Sequence, residues 1–147
     1  MIAGVDGCKA GWLLAVAEGW PCRKAPLLYV CRSFQGVLEL TARCAIVVVD
    51  IPIGLPSGSE IRACDQEAID RLGNDGQNRV FLTPPRETLA AQDVIAFQAA
   101  HRKARGVGAG YPVWGIVPKL IEVDRLMTPA KQRRVREFHP ELTWARL

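Results

Sequence analysis

Short apolar runs bounded by glycine or proline recur through the first third of the chain, which is the pattern of β-strands. The sequence predicts three strands there, at residues 2–6, 12–17 and 27–31. Gly7 and Gly11 lie between the first two runs, and glycine supplies the backbone freedom that a tight turn requires. We therefore expect the first two strands to form a hairpin.

A helix and a fourth strand are predicted next. Ser33 precedes three apolar positions at helical spacing (Val37, Leu40 and Cys44), and serine is a favoured N-cap residue. Residues 45–49 are then apolar throughout and mostly β-branched. That composition is typical of a central strand that is covered on both faces.

The remaining pattern is mainly helical. Ser57 and Glu60 have the spacing of a capping box, so they predict a helix over residues 58–72 that stops at Gly73. Further elements are expected as a polar loop at 74–86, helices at 87–103 and 117–127, and a last strand at 133–138. Strands joined by helical crossovers predict an α/β fold, a mixed sheet of antiparallel hairpin strands and parallel strands flanked by helices.

The composition favours one folded domain. The chain has 147 residues, of which 49% are hydrophobic and 23% charged, and this excludes a disordered tail or a collagen-like fibre. No apolar run approaches the roughly 18 residues of a membrane span, and no secretory signal is visible. The five cysteines are odd in number and form no CxxC pair, which fits free thiols in a reducing compartment. We expect a single cytoplasmic domain over residues 1–147, with no membrane partner.

The charge is unevenly distributed along the chain. Residues 101–147 hold 10 basic and 4 acidic residues, whereas residues 1–100 hold 9 and 11. A basic half attracts phosphates, so nucleic acid is a candidate partner. The alternative is that these charges form an ordinary solvated face.

Asp6 and Asp50 are the most informative candidate residues. Each follows an apolar strand, and a carboxylate in that position needs a hydrogen-bond partner or a cation. If the two strands are parallel neighbours, both carboxylates lie at the same sheet edge, where hard ions such as Mg²⁺ or Mn²⁺ would find oxygen ligands. The alternative is that each aspartate caps its own loop.

Glu137, His139 and Glu141 form a second cluster. In an extended chain they share one face, and Pro140 favours that conformation at His139. Two carboxylates beside an imidazole could complete a metal site or supply a general base. The alternative is a solvated edge strand.

Asp65 lies on the apolar stripe of the predicted helix over residues 58–72, which points it inward. A buried carboxylate needs a partner, and Arg62 or Arg86 could provide one. A structural ion pair and a role in a site are both open for this residue.

Six motifs in this order resemble a known family, the domain of unknown function family 429, whose members are described as RNase H-like nucleases. The resemblance extends over nearly the whole chain. The motifs are GVDGCKAGW at 4–12, DIPIGL at 50–55, RACD at 62–65, VFLTPPR at 80–86, PKLIEVD at 118–124 and EFHPE at 137–141.

The resemblance implies an RNase H-like fold and a divalent-metal-dependent nuclease or phosphodiesterase, a hydrolase. Asp6 and Asp50 would then be catalytic metal ligands for Mg²⁺ or Mn²⁺. Glu137, as a third metal ligand, with His139 and Glu141, would be further catalytic contributors. Similar proteins continue past EFHPE, so this domain is expected to lack the family's C-terminal segment.

Two other readings stay open. The first is a catalytically inactive relative that binds nucleic acid or a protein through its basic half, and a homodimer suits either this module or the nuclease. The second draws on the wider relatives of the fold, the actin-like and sugar-kinase ATPases. It is the least favoured, because residues 7–11 lack the Gly-Thr or Gly-Ser of their phosphate-binding hairpin.

Overall fold

The computed structural model describes residues 1–73 and 80–144. Its strands are β1 Ile2–Cys8, β2 Gly11–Ala17, β3 Leu27–Cys31, β4 Ile46–Val49 and β5 Val135–Glu137. They form one sheet in the order β3-β2-β1-β4-β5. The first three strands are antiparallel, whereas β4 pairs parallel with both β1 and β5. The predicted α/β fold with a mixed sheet is confirmed, and the strand order is consistent with an RNase H-like arrangement.

Helices occupy most of the remaining described chain. They are α1 Phe34–Leu40, α2 Ala63–Leu72, α3 Val94–Arg105, α4 Tyr111–Leu126, α5 Pro129–Gln132 and α6 Pro140–Trp144, with a 3₁₀ helix at Arg86–Ala90. Within residues 1–73 and 80–144, none of these helices has the length and apolar character needed to cross a membrane.

The chain divides into two compact units. The first comprises Met1–Ile53 and Glu122–His139, and the second comprises Gly54–Ile121 and Pro140–Leu147. The first unit contains the whole sheet together with α1. The second contains α2, the 3₁₀ helix and α3. The single domain expected over residues 1–147 stays a prediction.

The core of the first unit follows from the alternation of its strands. In β2, Trp12, Leu14 and Val16 are buried on one face, and Leu13 between them is exposed. The buried face packs against α1, where the ring centroids of Trp12 and Phe34 are 5.0 Å apart. The sequence of β2 is apolar at nearly every position, so this period of two is visible in the structure and not in the sequence.

Gly11 fixes the hairpin between β1 and β2. Its φ of +128° lies in the region that side chains disfavour, and a Cβ there would approach the carbonyl oxygen of Cys31 to 2.2 Å. Cys8 pairs with Gly11, which leaves a two-residue turn. The predicted hairpin is therefore confirmed, and its second strand requires glycine at the start.

The core of the second unit lies between α3 and α4. Phe97 on α3 is fully buried and clusters with Val113 and Val117 on α4. Trp114 adds a tilted ring contact to Phe97 at 5.3 Å. Both helices therefore present an apolar face to each other, as amphipathic helices do.

The predicted capping box at Ser57 and Glu60 is wrong. α2 begins at Ala63, and the Ser57 carbonyl instead accepts a turn hydrogen bond from the Glu60 N–H at 3.1 Å. Gly58, with φ of +57°, has a backbone conformation that a right-handed helix excludes. The predicted end at Gly73 is confirmed, since Gly73 caps the helix with φ of +64°.

Two other predicted helices have different boundaries. The helix predicted at 87–103 is a 3₁₀ helix followed by α3, whose N-cap Asp93 accepts from the Ala96 N–H at 2.8 Å. The helix predicted at 117–127 starts earlier, at Tyr111, and contains Pro118 in its interior. The helix continues through Pro118 because its apolar positions are packed, although the proline removes one backbone hydrogen-bond donor.

Smaller differences concern α1 and the C-terminal part. α1 ends at Leu40, so Cys44 lies outside the helix, although it is buried. The last strand is limited to Val135–Glu137, and the short helices α5 and α6 were not predicted. Of the polar loop predicted at 74–86, residues 74–79 lie outside the described residues, and the 3₁₀ helix begins at Arg86.

Candidate functional site

The parallel pairing of β1 and β4 brings Asp6 and Asp50 to neighbouring positions. Val5 is opposite Val49 in the register, and each aspartate follows its valine directly. The Asp50 N–H donates to the Val5 carbonyl oxygen at 3.0 Å, which continues the ladder one step beyond β4. The two carboxylates can lie at the same sheet edge only if their strands are parallel neighbours, and β1 and β4 meet that condition.

Both carboxylates are accessible, although the valines before them are not. Val5 is 5% exposed and Val49 is fully buried, whereas Asp6 and Asp50 are exposed. The buried strands hold the backbone of this edge rigidly, and the side chains project where a ligand can reach them. This combination of a fixed backbone and accessible oxygens is typical of a binding position.

The donor set suits a hard divalent cation. Mg²⁺ binds through one or two carboxylates and keeps several waters, or exchanges them for phosphate oxygens. Among the described residues of the first unit, no third histidine, cysteine or acidic side chain joins Asp6 and Asp50 in a group with ligand atoms within 4.8 Å. This edge therefore offers two carboxylates, and a cation bound by them would keep its other coordination positions for water or phosphate oxygens.

Glu137 ends the next strand of the same sheet. It pairs with Val49 in the β4–β5 register, and its Oε2 accepts a hydrogen bond from the Ile53 N–H at 2.9 Å. Glu137 shares the face of Val135, which is buried, whereas Asp6 alternates with buried Val5 and lies on the opposite face. Glu137 therefore lies at the same sheet edge as Asp6 and Asp50, and one of its carboxylate oxygens is hydrogen-bonded to the loop after β4.

The expected shared face of Glu137, His139 and Glu141 is wrong. β5 ends at Glu137, and Glu141 lies in the first turn of α6, so the segment is not one extended strand. Pro140 starts that helix instead of prolonging the strand, which is a favoured position for proline. The catalytic roles predicted for these residues stay predictions.

His139 and Glu141 each carry a buried polar atom. Within the described part of the chain, His139 Nδ1 and Glu141 Oε2 have no hydrogen-bond partner. Buried polar atoms are normally satisfied, so each atom is suited to a polar ligand or a water. The sequence motif marked both residues, and the unsatisfied atoms give an independent reason to test them.

Asp65 belongs to a buried network in the second unit. It is 4% exposed and forms an ion pair with Arg62, whose Nε donates to both carboxylate oxygens at 3.1 and 3.2 Å. The Thr83 N–H also donates to Asp65 Oδ2, at 2.9 Å. Of the two proposed partners, the structure thus pairs Arg62 with Asp65, and the network explains Asp65 structurally.

Arg105 is the unusual cation of the second unit. Its Nη2 donates to the Glu60 carbonyl oxygen at 2.6 Å, while Nε and Nη1 are buried without a partner among residues 1–73 and 80–144. Burial lowers the pKa of Arg105, and the charges of Asp65 and then Glu87 oppose that shift. In the sequence Arg105 is one of the 10 basic residues of the segment 101–147, and burial of one guanidinium leaves no local signal.

Glu122 connects α4 to the sheet within the first unit. Its Oε2 accepts from Trp12 Nε1 at 3.1 Å and from the Phe34 N–H at 2.8 Å. Glu122 lies three positions after Lys119, and this spacing predicts only a pair along the helix. Contacts separated by 110 and 88 positions are invisible to helical spacing, so the reasoning from sequence missed this structural role.

The comparisons with known proteins give one match. A family model described as "Protein of unknown function (DUF429)" matches residues 4–147, nearly the whole chain. No curated protein and no solved structure gives a significant match.

Proposed function

The chain belongs to the DUF429 family of proteins of unknown function, and on that premise we propose that it is a divalent-metal-dependent phosphodiesterase of RNase H-like fold, with nucleic acid as the expected substrate. The observation that carries the proposal is the pair of exposed carboxylates at the adjoining ends of parallel β1 and β4. In this proposal Asp6 and Asp50 bind Mg²⁺ or Mn²⁺.

A bound ion of this kind supplies an activated water and stabilises the leaving oxygen of a phosphodiester. The protein's part is to hold the two aspartates in place. The β1–β4 ladder, extended by the Asp50 N–H bond to Val5, restricts the backbone of both residues. Positional restriction of ligands is the main contribution that a protein makes to such a site.

Glu137, His139 and Glu141 are the proposed supporting residues. In this proposal the imidazole of His139 donates or accepts a proton during hydrolysis. Glu137 holds the loop after β4 through the Ile53 N–H, so in this proposal it also positions the backbone that follows Asp50. These roles rest on the resemblance and on the unsatisfied atoms of His139 and Glu141.

Calorimetric titration with Mg²⁺ and Mn²⁺ tests the metal site. We expect binding by the wild-type chain and at least a tenfold weaker affinity in Asp6→Asn and in Asp50→Asn. Asp70→Asn is the matched control, because Asp70 is an exposed aspartate on α2 and should leave binding unchanged. Unchanged affinity in Asp50→Asn would contradict the proposal.

Hydrolysis assays test the reaction separately. The substrates are bis-p-nitrophenyl phosphate and end-labelled single- and double-stranded DNA and RNA, each with Mn²⁺ and with EDTA. Metal-dependent cleavage that disappears in both aspartate variants is expected. Metal binding without cleavage of any of these substrates would support the metal site but contradict the proposed phosphodiesterase activity.

The second candidate function is a non-catalytic nucleic-acid-binding module. It is favoured by the exposure of basic side chains in both units, namely Arg102, Lys103, Arg133 and Arg136. Binding of this kind weakens steeply with salt because it releases counterions. It predicts salt-sensitive binding of DNA or RNA that is retained in the Asp6→Asn, Asp50→Asn double variant, whereas the phosphodiesterase predicts loss of cleavage there.

A further inference from the structure

The free edge of the sheet is formed by an unusually apolar strand. β3 lies at one end of the strand order and pairs only with β2 in the described sheet. Its sequence is Leu-Leu-Tyr-Val-Cys, with no charged residue and no proline inside the strand. Proteins usually protect an edge strand with lysine, proline, a bulge or short length. β3 has none of these features.

β3 is exposed on both of its faces. Leu28 and Val30 are 67% and 59% exposed on one face, and Leu27 and Tyr29 are 62% and 37% exposed on the other. In the β2–β3 register Val30 is opposite Leu13, which is 43% exposed and extends the first patch onto β2. A contiguous apolar patch beside a strand edge that pairs with no other described strand is typical of an interaction surface.

We propose that β3 pairs antiparallel with β3 of a second copy of this chain and joins the two sheets into one. Antiparallel pairing of a strand with its own copy has twofold symmetry, so it closes after two molecules. A register centred on Tyr29 places Leu28 of each copy opposite Val30 of the other, so both apolar faces continue across the junction. Main-chain hydrogen bonds satisfy the edge, and side chains on alternate positions set the register.

The available area suits a dimer of modest affinity. The exposed parts of the four apolar β3 residues and Leu13 amount to roughly 500 Å² per copy, which is an upper limit because edge-to-edge pairing leaves part of both sheet faces in solvent, so the interface belongs to the small, weakly associating class. The opposite edge of the sheet is a poor competitor. β5 has only three residues, and Arg136 and Glu137 are charged and exposed.

The proposed dimer accounts for the exposed apolar residues of β3 and does not depend on the proposed activity. It uses residues of β2 and β3, which the proposed metal site does not use. Failure of the metal proposal therefore leaves this inference intact, and the reverse also holds.

Analytical ultracentrifugation from about 5 to 500 μM tests the proposal. We expect a reversible monomer–dimer equilibrium for the wild-type chain and at least a tenfold weaker association for Val30→Lys and for Leu28→Lys. Ile95→Lys is the control, because it charges a residue that is 76% exposed on α3 of the second unit. It should leave the equilibrium unchanged, and circular dichroism should show that all variants fold.

Disulfide trapping tests the register. Tyr29→Cys, in a background with the exposed Cys22 and Cys64 replaced by serine, should form a covalent dimer under mild oxidation. Gln35→Cys on α1, also exposed, should not. A monomer at all concentrations, a dimer that tolerates Val30→Lys, trapping by Gln35→Cys but not by Tyr29→Cys, or open-ended assembly would each overturn the proposal.

Discussion

Asp65 and the pair formed by Asp6 and Asp50 are aspartates in opposite situations. Asp65 is 4% exposed, is paired with Arg62 and accepts the Thr83 N–H. Asp6 and Asp50 are exposed at the ends of buried strands. A buried carboxylate is kept by its partners, since an uncompensated charge there is costly. An exposed carboxylate on a rigid edge is accessible to a ligand.

This contrast separates residues by the measurement that should respond to them. Substitution of a buried, paired carboxylate should change the free energy of unfolding. Substitution of an exposed carboxylate at the sheet edge should change metal affinity and leave stability nearly unchanged. The following three substitutions are ordered by the expected loss of stability.

Asp65→Ala should have the largest effect. It removes the carboxylate that pairs with the largely buried Arg62 guanidinium and accepts from the Thr83 N–H, and removal of one member of a buried pair costs about 3–5 kcal/mol. Urea denaturation followed by circular dichroism measures the loss. Glu67→Ala on the same helix is the control, because its pair with Arg71 is exposed and should contribute roughly 0.3–0.5 kcal/mol. Equal losses in the two variants would remove the distinction between buried and exposed carboxylates.

Glu122→Ala should have an intermediate effect. Two donors, Trp12 Nε1 and the Phe34 N–H, lose their acceptor, and an unsatisfied buried donor costs about 1–3 kcal/mol. Glu122→Gln should recover part of the loss, since its amide oxygen still accepts. The same denaturation experiment, with tryptophan fluorescence as a second probe, checks both variants. A loss in Glu122→Gln that equals the loss in Glu122→Ala would show that charge, and not hydrogen bonding, is what matters there.

Asp6→Asn should have the smallest effect on stability. A substitution at an exposed position usually changes the free energy of unfolding by less than about 0.5 kcal/mol. In metal-free buffer we expect denaturation curves that nearly coincide with those of the wild-type chain. Added Mn²⁺ should raise the midpoint of the wild-type chain only, because a ligand stabilises the state that binds it. A large loss without metal would instead indicate that Asp6 serves its own loop.

The sequence was most informative where the structure depends on local pattern. The positions of β1 to β4, the hairpin at Gly11 and the helix end at Gly73 were predictable, because apolar runs and the glycines or prolines that bound them are properties of neighbouring residues. The helix starts were less predictable. Ser57 and Glu60 have the spacing of a capping box, yet the conformation of Gly58 excludes a helix there.

The candidate site divides in the same way. Asp6 and Asp50 could be paired from sequence because parallel strands place their carboxyl ends together, and the register of β1 and β4 has that geometry. The roles of Glu122 and Arg105 could not be predicted, because each depends on contacts between distant segments. The prediction that Glu137, His139 and Glu141 share one face was wrong, because Pro140 fits a helix start as well as an extended chain.

Anomalous diffraction from a crystal soaked in Mn²⁺ tests the central claim most directly. The account predicts an anomalous peak within coordination distance of the carboxylate oxygens of both Asp6 and Asp50, and no such peak in an Asp50→Asn crystal soaked in the same way. A soaked wild-type crystal with no peak at this edge, or with the same peak in Asp50→Asn, would contradict it.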